Sequence, residues 1–253
     1  MLRLDALPED TRRVFGYCRT HSALESLGLA LFGGTALSLL LGHRQSEDLD
    51  FFSFESSLPI DGISAFLTSC RKDNMEVHNI LDTVRISQAR INGIRLEDYI
   101  QEYQIDGVRV SFAAMTRGGD SRRTYFANAP MLSGTQSVFQ IPTLQTLFES
   151  KALTLRDRVT SRDLFDLMVL IRDHGCTIEQ LLDAIVRIDH IELSQASAVL
   201  EILLGHVPVD ADDPGFYSIR LNTSLDGIYA FFKTQIDAYE QAVVIRELGS
   251  KSE

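Results

Sequence analysis

Asp48 and Asp50 flank Leu49 in a short apolar and aromatic run that continues into Phe51 and Phe52. A β-strand alternates its side chains, so both carboxylates of such a run share one face while Leu49 turns to the other. Two carboxylates held that close repel each other, and a divalent cation between them relieves the repulsion. Upstream stands a glycine pair, Gly33-Gly34, followed by Thr35 and an apolar stretch that ends at Leu41. Glycines let phosphate oxygens approach the backbone, and the N–H groups of a helix opening at Thr35 would point at that anion. Carboxylates for a cation beside a helix start for phosphates describe a site for a nucleoside triphosphate with Mg2+, or Mn2+ in its place. Thr35 offers its hydroxyl either to a phosphate or as a helix cap. Ser46 and Arg44, just before the acids, are candidate rim contacts.

A second group of candidates lies in the C-terminal half. Lys151 and Arg158 are seven residues apart, two helical turns, and share a face if one helix carries both. Cations there would offset charge on the distal phosphates and on leaving pyrophosphate. Asp163 follows closely. Thr160 and Asp163 also fit a helix capping box, and Arg162 with Asp166 fits an i,i+4 ion pair. Arg117, Arg122 and Arg123, in a Gly- and Ser-containing stretch, are candidates either for contact with RNA or for an ordinary solvated loop.

These residues need elements to hold them. The pattern predicts a helix over 8–28, a short strand over 29–32, a buried helix over 35–41 stopped by Gly42, and a strand over 48–54. A helix follows over 60–72. Asn92-Gly93 between two β-rich runs predicts a hairpin of strands 84–91 and 94–99. A further strand is expected over 108–115 and loops over 116–141. From Thr143 the period changes, and helices are expected at 143–157, 161–174, 177–189, 194–205 and 224–247, with a loop near 206–223. The expected class is α+β: a short mixed sheet with flanking helices, then a helical C-terminal part. The expected division is an α/β domain over 1–140 and a helical domain over 141–253 that completes an active-site cleft.

Composition narrows the functional classes. The chain has 253 residues, of which 45% are hydrophobic and 23% charged, as in ordinary globular proteins. No apolar run approaches the roughly 20 residues needed to span a bilayer, and the first residues carry no apolar secretory segment. Three cysteines without a CxxC pair exclude a zinc knuckle or a disulfide framework, so a cytoplasmic protein is expected. The six histidines form no HxH or HxxxH pattern, which argues against zinc. Net charge is −11, unfavourable for wrapping a duplex. Residues 1–140 carry only −3 of it, so a polyanionic ligand is expected to meet that part.

The string from Gly33 to Leu37, followed by Arg44-Gln45-Ser46-Glu47-Asp48-Leu49-Asp50-Phe51-Phe52, resembles the signature of the AbiEii/AbiGii toxin family. These are minimal nucleotidyltransferases of the DNA polymerase β-like superfamily, found in toxin–antitoxin and phage-defence systems. The segment from Lys151 through Arg162-Asp163 to Asp166-Leu167 is similar to that family's second conserved block. The resemblance implies transfer of a nucleoside monophosphate from an NTP to an acceptor hydroxyl on RNA, such as a tRNA end, or on protein. It implies Asp48 and Asp50 as catalytic metal ligands, and Gly33, Gly34, Thr35, Ser46, Lys151 and Arg158 as nucleotide-binding residues. Asp163 would position Lys151 or assist deprotonation of the acceptor, and a cognate antitoxin would be a partner. Many nucleotidyltransferases add a third carboxylate from a later strand. Here Ser111 or Arg109 stands where one is expected, with Asp106, Glu97 and Asp98 as the nearby acids. That leaves open a nucleotide- or partner-binding module without turnover, and a transferase acting on a small molecule such as an aminoglycoside.

Overall fold

The computed structural model describes residues 2–116, 118–213, 215 and 223–250. The chain divides into two compact units, Met1–Leu147 and Phe148–Glu253.

The first unit is built on a five-stranded mixed sheet of order β1-β2-β5-β4-β3. The strands are β1 (Ala30–Phe32), β2 (Leu49–Ser53), β3 (Val77–Asn79), β4 (Ile100–Ile105) and β5 (Val108–Ala114). β2 and β5 run parallel, and the other pairs are antiparallel. Alternation along the strands sends Leu49, Phe51, Val110 and Phe112 to one face, where all four are fully buried. Phe51 and Phe112 stack at 5.5 Å, and Phe66 and Phe139 meet them edge-on. Phe66 comes from helix α4 (Ile60–Lys72), and Phe15 of α1 (Glu9–Thr20) joins through Phe139. The opposite face carries Asp50, Ser111 and Glu102 side by side across β2, β5 and β4. Backbone bonds from Leu31 N to Gln140 O and from Gln140 N to Leu29 O lay the stretch around Phe139 along the free edge of β1.

Three sequence expectations fail in this unit. The first helix stops at Thr20, where extended His21 breaks it and caps the four-residue α2 (Ser22–Glu25) through Nδ1. Asn92-Gly93 makes no hairpin: residues 84–91 belong to helix α5 (Thr83–Ile91), capped by the Asp82 carboxylate on Val84 N. Gly93, at φ +73°, closes that helix with Gly93 N to Arg90 O and Ile94 N to Ala89 O, the Schellman pattern. Asn-Gly serves both turns, and here the helix stop prevails. The actual hairpin joins β4 to β5 through Asp106 and Gly107, both at positive φ, as a two-residue primed turn requires. Helix α6 (Gly119–Ala127) occupies part of the stretch expected to be loop, because burial of Arg122 and Phe126 outweighs its turn-like composition.

Between β1 and β2 runs α3 (Gly33–Leu41), ended by left-handed Gly42 as its sequence indicates. Helix α7 (Leu144–Thr154) contains the division between the units.

The second unit is helical: α8 (Ser161–His174), α9 (Ile178–Asp189), α10 (Leu193–Ala196), α11 (Ala198–Leu203) and α12 (Leu225–Ser250). The helix expected over 194–205 is divided near Ser197. α9 opens with a reciprocal capping box between Thr177 and Gln180. α12 packs against α8, α9 and α11 and buries Ile228, Phe232 and Ile236, a stripe at fourfold spacing. Among the described residues no helix is long and apolar enough to cross a membrane.

Candidate active site

The register of the sheet brings the glycine bend and the acids together. Asp50 of β2 pairs directly with Phe32 of β1, the residue before Gly33. A Cβ built on Gly33 would lie 2.9 Å from Asp50 Oδ2, so the carboxylate rests against the bend. Gly33 sits at φ +75°, a conformation costly for any residue with a Cβ. Asp50 Oδ1 accepts a 2.7 Å hydrogen bond from Ser111 Oγ of β5. Asp48 precedes β2; it and Asp50 are half-buried while Leu49 between them is fully buried. The burial alternates as it does when both acids share a face.

Gly34 has a different neighbour. The buried Arg44 guanidinium lies where a Gly34 Cβ would go, and Arg44 Nη1 donates to Gln45 O at 3.0 Å. Both glycines therefore make room for side chains of the chain itself. Thr35 is buried; its Oγ1 lies 2.8 Å from Ser46 Oγ and donates to the Asp48 carbonyl. It makes no helix cap, and Phe32 holds the cap position. Thr35 and Ser46 thus tie α3 to the backbone that carries the first acid.

The acid in line with Asp50 is Glu102, opposite Ser111 on β4. Two strand spacings of ~4.8 Å separate their backbones. Arg109 at 3.1 Å and Arg85 at 3.7 Å hold the Glu102 carboxylate. The other acids considered lie elsewhere. Asp106 accepts from Glu76 N in the hairpin turn, Glu97 pairs with Arg90, and Asp98 pairs with Arg95. The sequence pattern places a strand over 94–99 rather than at Ile100–Ile105, and so does not single out Glu102. With β4 read as Ile100–Ile105, its alternation marks Glu102 on the face of Ser111.

Among the described residues no group of three or more His, Cys, Asp or Glu side chains forms a metal-binding cluster. The pair Asp48 and Asp50 nevertheless suits Mg2+ chemically. This ion takes oxygen ligands and is commonly held by one or two carboxylates, with phosphates and water completing its shell.

In the second unit Lys151, Arg158 and Asp163 do come together, although not as a shared helix face. α7 ends at Thr154, and Arg158 lies in the following connection. Asp163 gathers them: its Oδ1 is 2.5 Å from Lys151 Nζ, and its Oδ2 is 3.0 Å from Arg158 Nε. Thr160 Oγ1 donates to the same Oδ2 at 2.7 Å and accepts from Asp163 N at 3.2 Å. Thr160 is thus the helix cap, while the Asp163 carboxylate serves the cations. Burial alone would raise the Asp163 carboxyl pKa. The Lys151 and Arg158 charges outweigh that and hold it down at about 2. Asp166, fully buried and so not on the surface, is a second carboxylate on Lys151 at 2.7 Å. Arg122 is buried in α6 and Arg123 pairs with Asp120 at 2.6 Å, so neither stands in a solvated loop. Arg117 lies outside the described residues.

A glycine bend opening a helix, beside a strand with alternating aspartates in a mixed sheet, has the arrangement of a nucleotidyltransferase. Residues 21–200 match the family described as nucleotidyl transferase AbiEii toxin, type IV toxin–antitoxin system. The chain belongs to that family, whose members generally use a divalent metal. It is also similar to an uncharacterized protein of Aquifex aeolicus, 27% identical over 160 residues. That match covers 62% of this chain and 66% of the relative, just under two thirds of the relative's length.

Proposed function

We propose that this protein moves a nucleoside monophosphate from an NTP to an acceptor hydroxyl on RNA or protein and releases pyrophosphate. In this reading it acts in the cytoplasm as a toxin restrained by a cognate antitoxin. The observation that carries the reading is the contact of Asp50 Oδ2 with the Gly33 bend at the start of α3. It joins a cation-binding carboxylate to a helix start suited to phosphate.

Asp48 and Asp50 would hold Mg2+, or Mn2+ in its place. Bound there, the ion would neutralise phosphate charge and favour in-line displacement. Gly33 and Gly34 turn backbone N–H groups toward the nucleotide, while Thr35 and Ser46 hold Asp48 in register. Within the second unit, Asp163 positions Lys151 and Arg158. The test is transfer of labelled NTP to total RNA and to total protein, with Asp48→Ala as control. Label appearing in either acceptor and abolished in Asp48→Ala supports the reading; nucleotide binding without Asp48-dependent transfer overturns it. A second reading, a binding module without turnover, draws on Ser111, a neutral residue beside Asp50 where many nucleotidyltransferases carry a third acid.

A further inference from the structure

We propose that Ser111 is a positioning residue for the metal-binding carboxylate of Asp50. This inference rests on the reading of Asp48 and Asp50 as metal ligands given above. A carboxylate on a strand can rotate about χ2, and a weakly held one presents its oxygens in many directions. Asp50 is held at one oxygen, and its other oxygen fills the space that a side chain at residue 33 would take. Oδ1 accepts from Ser111 Oγ at 2.7 Å, and Oδ2 abuts Gly33. The sheet register fixes the donor, because Ser111 lies directly opposite Asp50 on the parallel strand β5.

The same register explains the choice of a hydroxyl. An acid at 111 would stand beside Asp50 and opposite Glu102, three carboxylates in one row across the sheet. The Ser111 hydroxyl instead donates to Asp50, and Arg109 and Arg85 neutralise Glu102. Oxygen ligands of a metal are commonly oriented by a hydrogen-bond donor behind them, and losing that donor weakens the metal.

The experiment is Mn2+ titration of the full chain, followed by the paramagnetic resonance of the free ion, with and without a non-hydrolysable NTP. Variants are Ser111→Ala, Ser111→Thr, Asp50→Asn and the double change Ser111→Ala with Asp50→Asn. Thermal melts confirm folding; Ala113, two residues on and facing the same way, indicates that alanine fits this face. The expected result is about tenfold weaker Mn2+ binding in Ser111→Ala, the low end for a residue behind a metal ligand. Ser111→Thr keeps the hydroxyl and should restore wild-type affinity, and Ser111→Ala should add nothing once Asp50 is Asn. Wild-type affinity in Ser111→Ala, with Asp50→Asn impaired, overturns the role of Ser111 and leaves the metal reading standing. Absence of Mn2+ binding in the wild type under both conditions overturns the metal reading and this inference with it.

Discussion

The contact between Gly33 and Asp50 gives each residue a specific sensitivity. Gly33→Ala meets two obstacles: a left-handed backbone, costing about 1–2 kcal/mol with a Cβ, and the Asp50 oxygen 2.9 Å away. The expected outcome is a folded protein with displaced Asp50, whose Mn2+ affinity and nucleotidyl transfer both fall at least tenfold. Calorimetry and labelled-NTP transfer check the two together. Gly34→Ala should fail differently, by moving the Arg44 guanidinium rather than an acid. That the acids and the bend lie close together is legible in sequence, because spacing and strand period suffice to bring them to one place. The detailed partners are not. That Thr35 would serve the Asp48 carbonyl, or that Asp166 would share Lys151, depends on how separate elements pack.

Elements were readable where one physical signal dominated. α3, the strand with the aspartates and the helices of the second unit announce themselves by period and by caps. α5 did not, because β-branched Val84, Ile86 and Ile91 favour strand while a local stop signal decides for helix. None of its residues is buried, so its caps matter more than usual. Gly93→Ala should destabilise the first unit by about 1 kcal/mol through the backbone alone, since nothing lies within 4 Å of the added Cβ. Local amide exchange in 83–94 should rise while exchange in β2 and β5 stays slow. Equal acceleration throughout would contradict the view of α5 as a locally stabilised helix.

At the scale of the molecule, the buried charges of the second unit tie its stability to pH. Asp163 has its pKa depressed on folding, so its contribution is complete above the unfolded value of about 4 and is lost as pH falls through about 2. The contribution is about 2 kcal/mol. Thermal melts of the wild type should therefore drop between about pH 4 and pH 2, and Asp163→Asn should flatten that interval while lowering stability at neutral pH. Lys151→Met leaves Asp163 and Asp166 buried without their shared ammonium, and should cost about 3–5 kcal/mol. Its melting temperature should recover in acid, opposite to the wild type. The division into a mixed-sheet unit and a helical unit follows from the change of hydrophobic period near Thr143.

The stretch around Phe139 acts as a clasp on the sheet. The edge of β1 would otherwise offer the Leu31 amide and the neighbouring Leu29 carbonyl to any passing chain, and Gln140 occupies both. The other border strand, β3, has only three residues. A single cut upstream of the clasp, between Met131 and Val138, would let it peel away. The opened edge would then template pairing between copies of the chain, which light scattering after limited proteolysis would register as growth in particle size.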